Sequence, residues 1–145
     1  MRIFRYLDQA GAMGFGRFDE QGQTFRILKK EDGDFEVTDE KITPFQLLTP
    51  IDFRCIYGVG LNYKAHAKEI GREMPKHPMI FMKAATSIQN PGDPIVLPRF
   101  LRSDKVDYEG ELGVIIGRPC KNAKPEEALS YVLGYTCVND VSARD

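Results

Sequence analysis

Short apolar runs closed off by turn-forming residues set the fold class of this chain. Runs at 2–7, 13–18 and 24–28 are separated by Gly11, by Asp19-Glu-Gln-Gly22 and by Lys29-Lys-Glu-Asp-Gly33, and a further run follows at 35–37. The same rhythm returns at 53–59, 79–83, 95–97, 105–117 and 133–138. Segments this short, bounded by Gly, Pro, Asn and Asp, read as strands. Two stretches suit helices instead. Asn62 as N-cap and Gly71 as stop signal frame one over 63–70, and Pro125 followed by two acids opens another over 125–132. The stretch Thr43-Pro-Phe-Gln-Leu-Leu-Thr-Pro50 reads as a linker or crossover. The expected fold class is mainly β with short helices (α+β). A small N-terminal β domain covers 1–50, and 51–145 form a mixed β roll or barrel rather than a doubly wound α/β domain.

Composition narrows the function classes. The 145 residues carry 42% hydrophobic and 28% charged side chains and a formal charge of −1, ordinary values for a globular chain. This balance offers no basic patch, so no nucleic-acid partner is expected. There is no apolar run near the roughly 18 residues of a membrane span and no leader-like start, so neither a membrane partner nor secretion is expected. Cys55, Cys120 and Cys137 are odd in number and lack CxxC spacing. They read as small buried hydrophobes in a reducing compartment, and the cytoplasm is the expected location.

The chemistry-bearing residues begin with Glu109 and Glu111 in Val106-Asp-Tyr-Glu-Gly-Glu-Leu-Gly-Val-Ile-Ile-Gly117. In one continuous strand they project to the same side, while Tyr108, Leu112, Val114 and Ile116 take the other face as core residues. Adjacent carboxylates repel, and a positive charge between them relieves the repulsion. With Asp140, they form an all-oxygen donor set suited to Mg²⁺, Mn²⁺ or Ca²⁺. The alternative is three acids on a solvated face, with Asp140 organising a turn. His66 and Glu69 share a helix face at i and i+3, where the carboxylate would orient an imidazole base; the alternative is a surface histidine flanked by Lys64 and Lys68. Lys83 ends an apolar strand, where it either meets an anionic substrate or marks the strand's exit into water. Gly58 and Gly60 lack the third glycine of a dinucleotide fingerprint.

In combination these stretches resemble the fumarylacetoacetate hydrolase family. The resemblance rests on Gly58-Val-Gly-Leu-Asn-Tyr-Lys-Ala-His-Ala-Lys-Glu69, Pro78-Met-Ile-Phe-Met-Lys83, Pro91-Gly-Asp-Pro-Ile-Val-Leu-Pro98, Lys105-Val-Asp-Tyr-Glu-Gly-Glu-Leu112 and Gly134-Tyr-Thr-Cys-Val-Asn-Asp-Val-Ser-Ala-Arg-Asp145. It implies Glu109, Glu111 and Asp140 as ligands of a divalent metal, usually Mg²⁺, with Mn²⁺ or Ca²⁺ as alternatives. It also implies His66 with Glu69 as the catalytic base and Lys83 beside the substrate. The implied partner is a small 2-oxo acid, and the implied assembly is a homodimer at full length. The implied activity is metal-dependent hydrolysis or lysis of acylpyruvate-type acids, cleaving a carbon–carbon bond through a metal-stabilised enolate. Isomerisation or decarboxylation of 2-hydroxy-2,4-dienedioates or oxaloacetate is the alternative within the family. Leu61 stands where other branches carry Arg, which points to different handling of a substrate carboxylate. The family domain continues past the Asp140 motif, so this chain is expected to hold the N-terminal part of an incomplete roll. A non-catalytic fragment or interaction module with a vestigial metal site is the reading from a different class.

Overall fold

The computed structural model describes residues 1–30 and 34–145, so the expected turn at 29–33 lies largely outside the described residues. The chain is mainly β, as expected, and forms two compact units, Met1–Pro94 and Ile95–Asp145.

The first unit is built on a five-stranded antiparallel sheet in the order β4-β3-β2-β1-β5. Its strands are β1 (Arg2–Leu7), β2 (Met13–Phe18), β3 (Thr24–Lys29), β4 (Phe35–Lys41) and β5 (Gln46–Leu48). The β1–β2 turn is closed by Asp8, whose Oδ1 accepts the amides of Ala10 and Ala12 at 2.9 and 2.8 Å. Gly11, at φ 81°, supplies the left-handed residue that this turn requires. Asp19 and Gly22 repeat the device between β2 and β3, with Gln23 N–H donating to Asp19 Oδ1 at 2.7 Å.

The core of this sheet lies where aromatic rings cross glycines. Tyr6 pairs with Gly14 and Phe4 with Gly16. Tyr6 is only 3% exposed, and a Cβ on either glycine would enter the ring opposite. Phe18 lies against Phe4 with ring centroids 4.5 Å apart and the rings tilted by 43°. On the other face of β1, Arg5 is buried, and its guanidinium donates to Asp52 Oδ1 at 2.7 Å and to the Thr49 carbonyl at 3.3 Å.

The segment read as a linker holds β5, which pairs along β1 from Arg5 to Leu7. Its backbone groups find a strand edge, which sequence composition does not reveal. The boundary expected near residue 50 follows the end of this sheet at Leu48. The compact unit runs on to Pro94 because Arg5–Asp52, Thr49–Asn90 and Gln46–Asp93 hydrogen bonds cross that point. Beyond it, β6 (Ile56–Gly60) and β7 (Met79–Lys83) form an antiparallel ribbon, with the Phe81 ring laid over Gly58.

Between them lies α1 (Lys64–Glu69), one residue shorter at each end than expected and with Tyr63 rather than Asn62 in the capping position. Ala67 anchors it in the core. Gly71, at φ 68°, stops the helix: Gly71 N–H donates to Lys68 O at 3.2 Å and Arg72 N–H to Ala67 O at 2.8 Å, a Schellman closure.

The second unit holds β8 (Val106–Asp107), β9 (Gly110–Ile116), α2 (Pro125–Ala128), β10 (Val132–Asn139) and β11 (Ser142–Ala143). β9 pairs with β10 and β8 with β11, both antiparallel. The single strand expected over 105–117 is therefore two strands in two ribbons, broken at Tyr108 and Glu109. The helix expected over 125–132 tightens after Ala128 into a 3-10 turn, Leu129–Tyr131. Residues 95–97 form no strand; Pro94 and Pro98 flank them and remove donors a ladder would use.

The expected core face of the carboxylate strand is also corrected. Leu112 (61%) and Tyr135 (59%) are exposed, as are Tyr108, Val114, Ile116 and Leu133. Among the described residues, the buried hydrophobic side chains are Phe4, Tyr6, Ile27 and Ala67, all in the first unit. A two-stranded ribbon has no second layer to cover one of its faces. All three cysteines are exposed free thiols rather than buried; Cys137 pairs with Leu112 on that open face. No helix among the described residues is long and apolar enough to cross a membrane.

Two outcomes test this packing. Gly16→Val must displace the Phe4 ring and is expected to cost about 1–3 kcal/mol, read as a lower urea midpoint. Leu112→Ser removes an exposed side chain and is expected to change the stability of this chain by no more than about 0.5 kcal/mol; a loss of several-fold that size would show that the face is covered.

Candidate active site

Glu109 and Asp140 sit where strands change partners. β8 gives way to β9 at Tyr108-Glu109, and β10 gives way to β11 at Asp140-Val141. The two switches face each other across the ladder. Asp140 N–H donates to Glu109 O at 2.9 Å, and Glu109 N–H donates to the Asn139 side-chain oxygen at 3.1 Å. The backbone hydrogen bonds of the interrupted stretch are thus partly replaced from the opposite strand. Glu111 lies one step along, paired with Val138 on the half-buried face of β9. On that face Val138 and Thr136 close over Gly113, where a Cβ would meet Val138 Cγ2 at 2.6 Å.

The alternation runs on through the break, with Glu109 and Glu111 both half-buried and Gly110 exposed between them. The Glu109 side chain, 27% exposed, is held by Arg144, whose Nη2 lies 3.0 Å from Glu109 Oε1. The same guanidinium donates from Nε to Asp107 Oδ2 at 2.9 Å. The Asp107 hydrogen bond first, then the Glu109 charge, push the Arg144 pKa above its ordinary value. Arg144 is pinned through its backbone, donating N–H to Lys105 O at 3.0 Å. Beside it, the Asp145 carboxylate accepts from Ser103 Oγ at 2.5 Å and Asp104 N–H at 3.0 Å.

The donor chemistry of Glu109, Glu111 and Asp140 fits a hard divalent cation, and their backbones are neighbours at one end of a strand pair. The Oδ1 atom of Asp140 is shielded from solvent. The side chains are not gathered: among the described residues no three His, Cys, Asp or Glu groups converge as a bound cation would require. Arg144 accounts for the position of Glu109. The sequence reading had missed Arg144 and Asp107, although Arg144 lies in the same motif as Asp140; their pairing spans 37 residues of chain and exists only because β8 meets β11.

His66, Glu69 and Lys83 belong to the first unit. His66 Nδ1 and Glu69 Oε2 lie 3.6 Å apart across one helical turn, slightly longer than a hydrogen bond. Leu61, at the unusual φ of 53°, turns the chain from β6 into the helix that carries them. Lys83 is the last residue of β7, half-buried, with its ammonium 5.9 Å from the Phe81 ring centre.

Comparison with known proteins settles the family. The family model described as fumarylacetoacetate (FAA) hydrolase, C-terminal, matches residues 55–145, more than half of the chain. The chain belongs to the fumarylacetoacetate hydrolase family. An uncharacterised protein of Archaeoglobus fulgidus is 41% identical over 133 residues, covering 90% of this chain and 52% of that protein. A 2,4-didehydro-3-deoxy-L-rhamnonate hydrolase of Sphingomonas sp. is 49% identical over 89 residues, 61% of this chain and 30% of its own. The crystal structure of 5-carboxymethyl-2-hydroxymuconate delta-isomerase from Mycobacterium smegmatis superposes on all of this chain and 56% of its own, with a TM-score of 0.80 at 37% identity. The chain thus spans about half the length, or less, of these relatives. The family's relatives include hydrolases and isomerases.

The Ser103–Asp145 contact generates a pH prediction. The Ser103 hydroxyl first, then the Asp104 amide, hold the Asp145 carboxyl below its usual pKa. A depressed folded value contributes stability above the unfolded pKa and loses it as pH falls through the folded one. Ser103→Ala is expected to raise the Asp145 pKa, followed by carboxyl carbon NMR, and to shrink this acid-side loss.

Proposed function

We propose that this chain carries the metal-binding and proton-transfer residues of a divalent-metal-dependent hydrolase or lyase of acylpyruvate-type 2-oxo acids. The observation that carries the reading is the Glu109–Asp140 junction. Two acidic residues at facing strand breaks are joined main chain to main chain at 2.9 Å, with Glu111 in β9 beside them, in a member of the fumarylacetoacetate hydrolase family. Glu109, Glu111 and Asp140 would hold Mg²⁺, or Mn²⁺ or Ca²⁺ by the same oxygen chemistry. When bound, the ion supplies Lewis acidity toward the neighbouring carboxylate and keto oxygens of a 2-oxo acid.

His66 is the base that takes a proton from water, and Glu69 across the helical turn orients the imidazole and stabilises its charged form. Lys83 offers a positive charge to the anionic substrate. The hydroxide so formed adds to the distal carbonyl, the carbon–carbon bond breaks, and His66 returns its proton to the departing carbon. The products are a carboxylic acid and pyruvate. A cytoplasmic location, as the cysteine usage suggests, and a homodimer at full length, as the family resemblance implies, complete the proposal.

A second reading is supported by the likeness to the Mycobacterium smegmatis isomerase across all of this chain. The same residues would then move a proton along a hydroxydienedioate with no water added.

Mn²⁺ titrations of wild type, Glu109→Gln and Asp140→Asn test the metal claim. Each variant is expected to lose at least about tenfold in affinity, the scale seen when even outer-shell metal partners are removed; wild-type affinity in both would end it. Acetylpyruvate, oxaloacetate and a hydroxydienedioate offered in parallel separate the reactions. His66→Ala is expected to lower turnover by about 10²–10⁴-fold with Mn²⁺ binding retained. Loss of both would make His66 structural.

A further inference from the structure

Arg144 holds two carboxylates at once. Its Nε donates to Asp107 Oδ2 at 2.9 Å, and its Nη2 lies 3.0 Å from Glu109 Oε1. The main chain keeps it there, through the pairing of Ser142 with Asp107 and Ala143 with Val106 and through the Arg144 amide on Lys105 O. Glu109 is therefore engaged at one of the oxygens a cation would use.

A guanidinium and a divalent ion compete for that oxygen for two reasons. A hard cation such as Mg²⁺ must approach to about 2.0–2.1 Å in near-octahedral order, which a bonded guanidinium obstructs. Two positive charges on one carboxylate also repel each other at short range. Asp107 changes what happens when the contact opens. The guanidinium has five donors in a rigid fork, so it can release Glu109 and keep Asp107. All three side chains are partly open to water, where a single ion pair is weak enough to exchange.

We propose that Arg144 is a positioning residue that holds Glu109 while no cation is bound and yields it to an incoming divalent ion, remaining anchored on Asp107. The inference rests on the metal reading of Glu109, Glu111 and Asp140. Arg144 then lowers the metal affinity of the chain from outside the ligand set, as an internal competitor. It also keeps Glu109 from drifting into solvent between binding events.

Mn²⁺ affinity of the whole chain, measured from the electron paramagnetic resonance signal of the free ion, tests this without any turnover. Arg144→Gln is expected to bind Mn²⁺ three- to tenfold more tightly than wild type; equal or weaker binding overturns the proposal. Arg144→Lys keeps the charge and is expected to stay within twofold of wild type. Tightening as large as that of Arg144→Gln would overturn competition by charge. In a Glu109→Gln background, Arg144→Gln is expected to add nothing, and an undiminished effect there also overturns it.

The two readings fail separately. Wild-type affinity in Glu109→Gln and Asp140→Asn removes the metal site itself, whereas loss of binding there with no tightening in Arg144→Gln removes only the role of Arg144. If Arg144→Gln does not fold, the ¹⁵N resonance of Arg144 Nε in the wild-type chain replaces it. That resonance is expected to move and saturate as Mg²⁺ is added. A signal that stays in place while Mg²⁺ saturates the chain overturns the proposal.

Discussion

The hydrogen bond from the Asp140 amide to the Glu109 carbonyl ties together the two points at which the second unit exchanges one ribbon for another. β9–β10 and β8–β11 are each ribbons of two strands with little else to hold them. Four strand ends meet at this place, which carries Glu109, Asp140, Asn139 and, as the second residue of β9, Glu111. The acidic residues are neighbours because Glu109 and Glu111 stand two apart along the chain and Asp140 lies across the ladder from Glu109.

The two units solve the problem of a core differently. In the first, five strands and aromatic rings laid across glycines give an enclosed layer around Phe4, Tyr6 and Ile27. In the second, the β9–β10 ribbon presents one half-buried and one open face, and Leu112, Val114, Ile116, Leu133 and Tyr135 lie on the open one. Alternation is present in both units; only the first has enough strands to turn it into burial.

Much of this was legible in residue order. Asp8 and Gly11, Asp19 and Gly22, and Gly71 after α1 are local devices, and each acts in the structure through bonds to residues within five positions. Strand existence followed from the same local punctuation. The errors fall where a distant partner decides. The segment at 43–50 became β5 because the edge of β1 was available to it. The run at 105–117 broke because Val106 and Asp107 pair with Ser142 and Ala143 while Gly110 onward pairs with β10. Leu112 and Tyr135 had the spacing of core residues and lie in the open because spacing does not say whether a second layer exists.

For the candidate site the division is similar. The identities of Glu109, Glu111 and Asp140, with His66 and Glu69 one helical turn apart, are properties of the chain itself, as are the family and the mainly β class. Local chemistry and short-range periodicity need only near neighbours. The tertiary structure alone decided that Glu109 sits at a strand switch rather than mid-strand, that its carboxylate meets Arg144, and that Asp107 shares the same guanidinium. Those contacts join residues about 35 positions apart, and only the register between β8 and β11 determines which side chains arrive together.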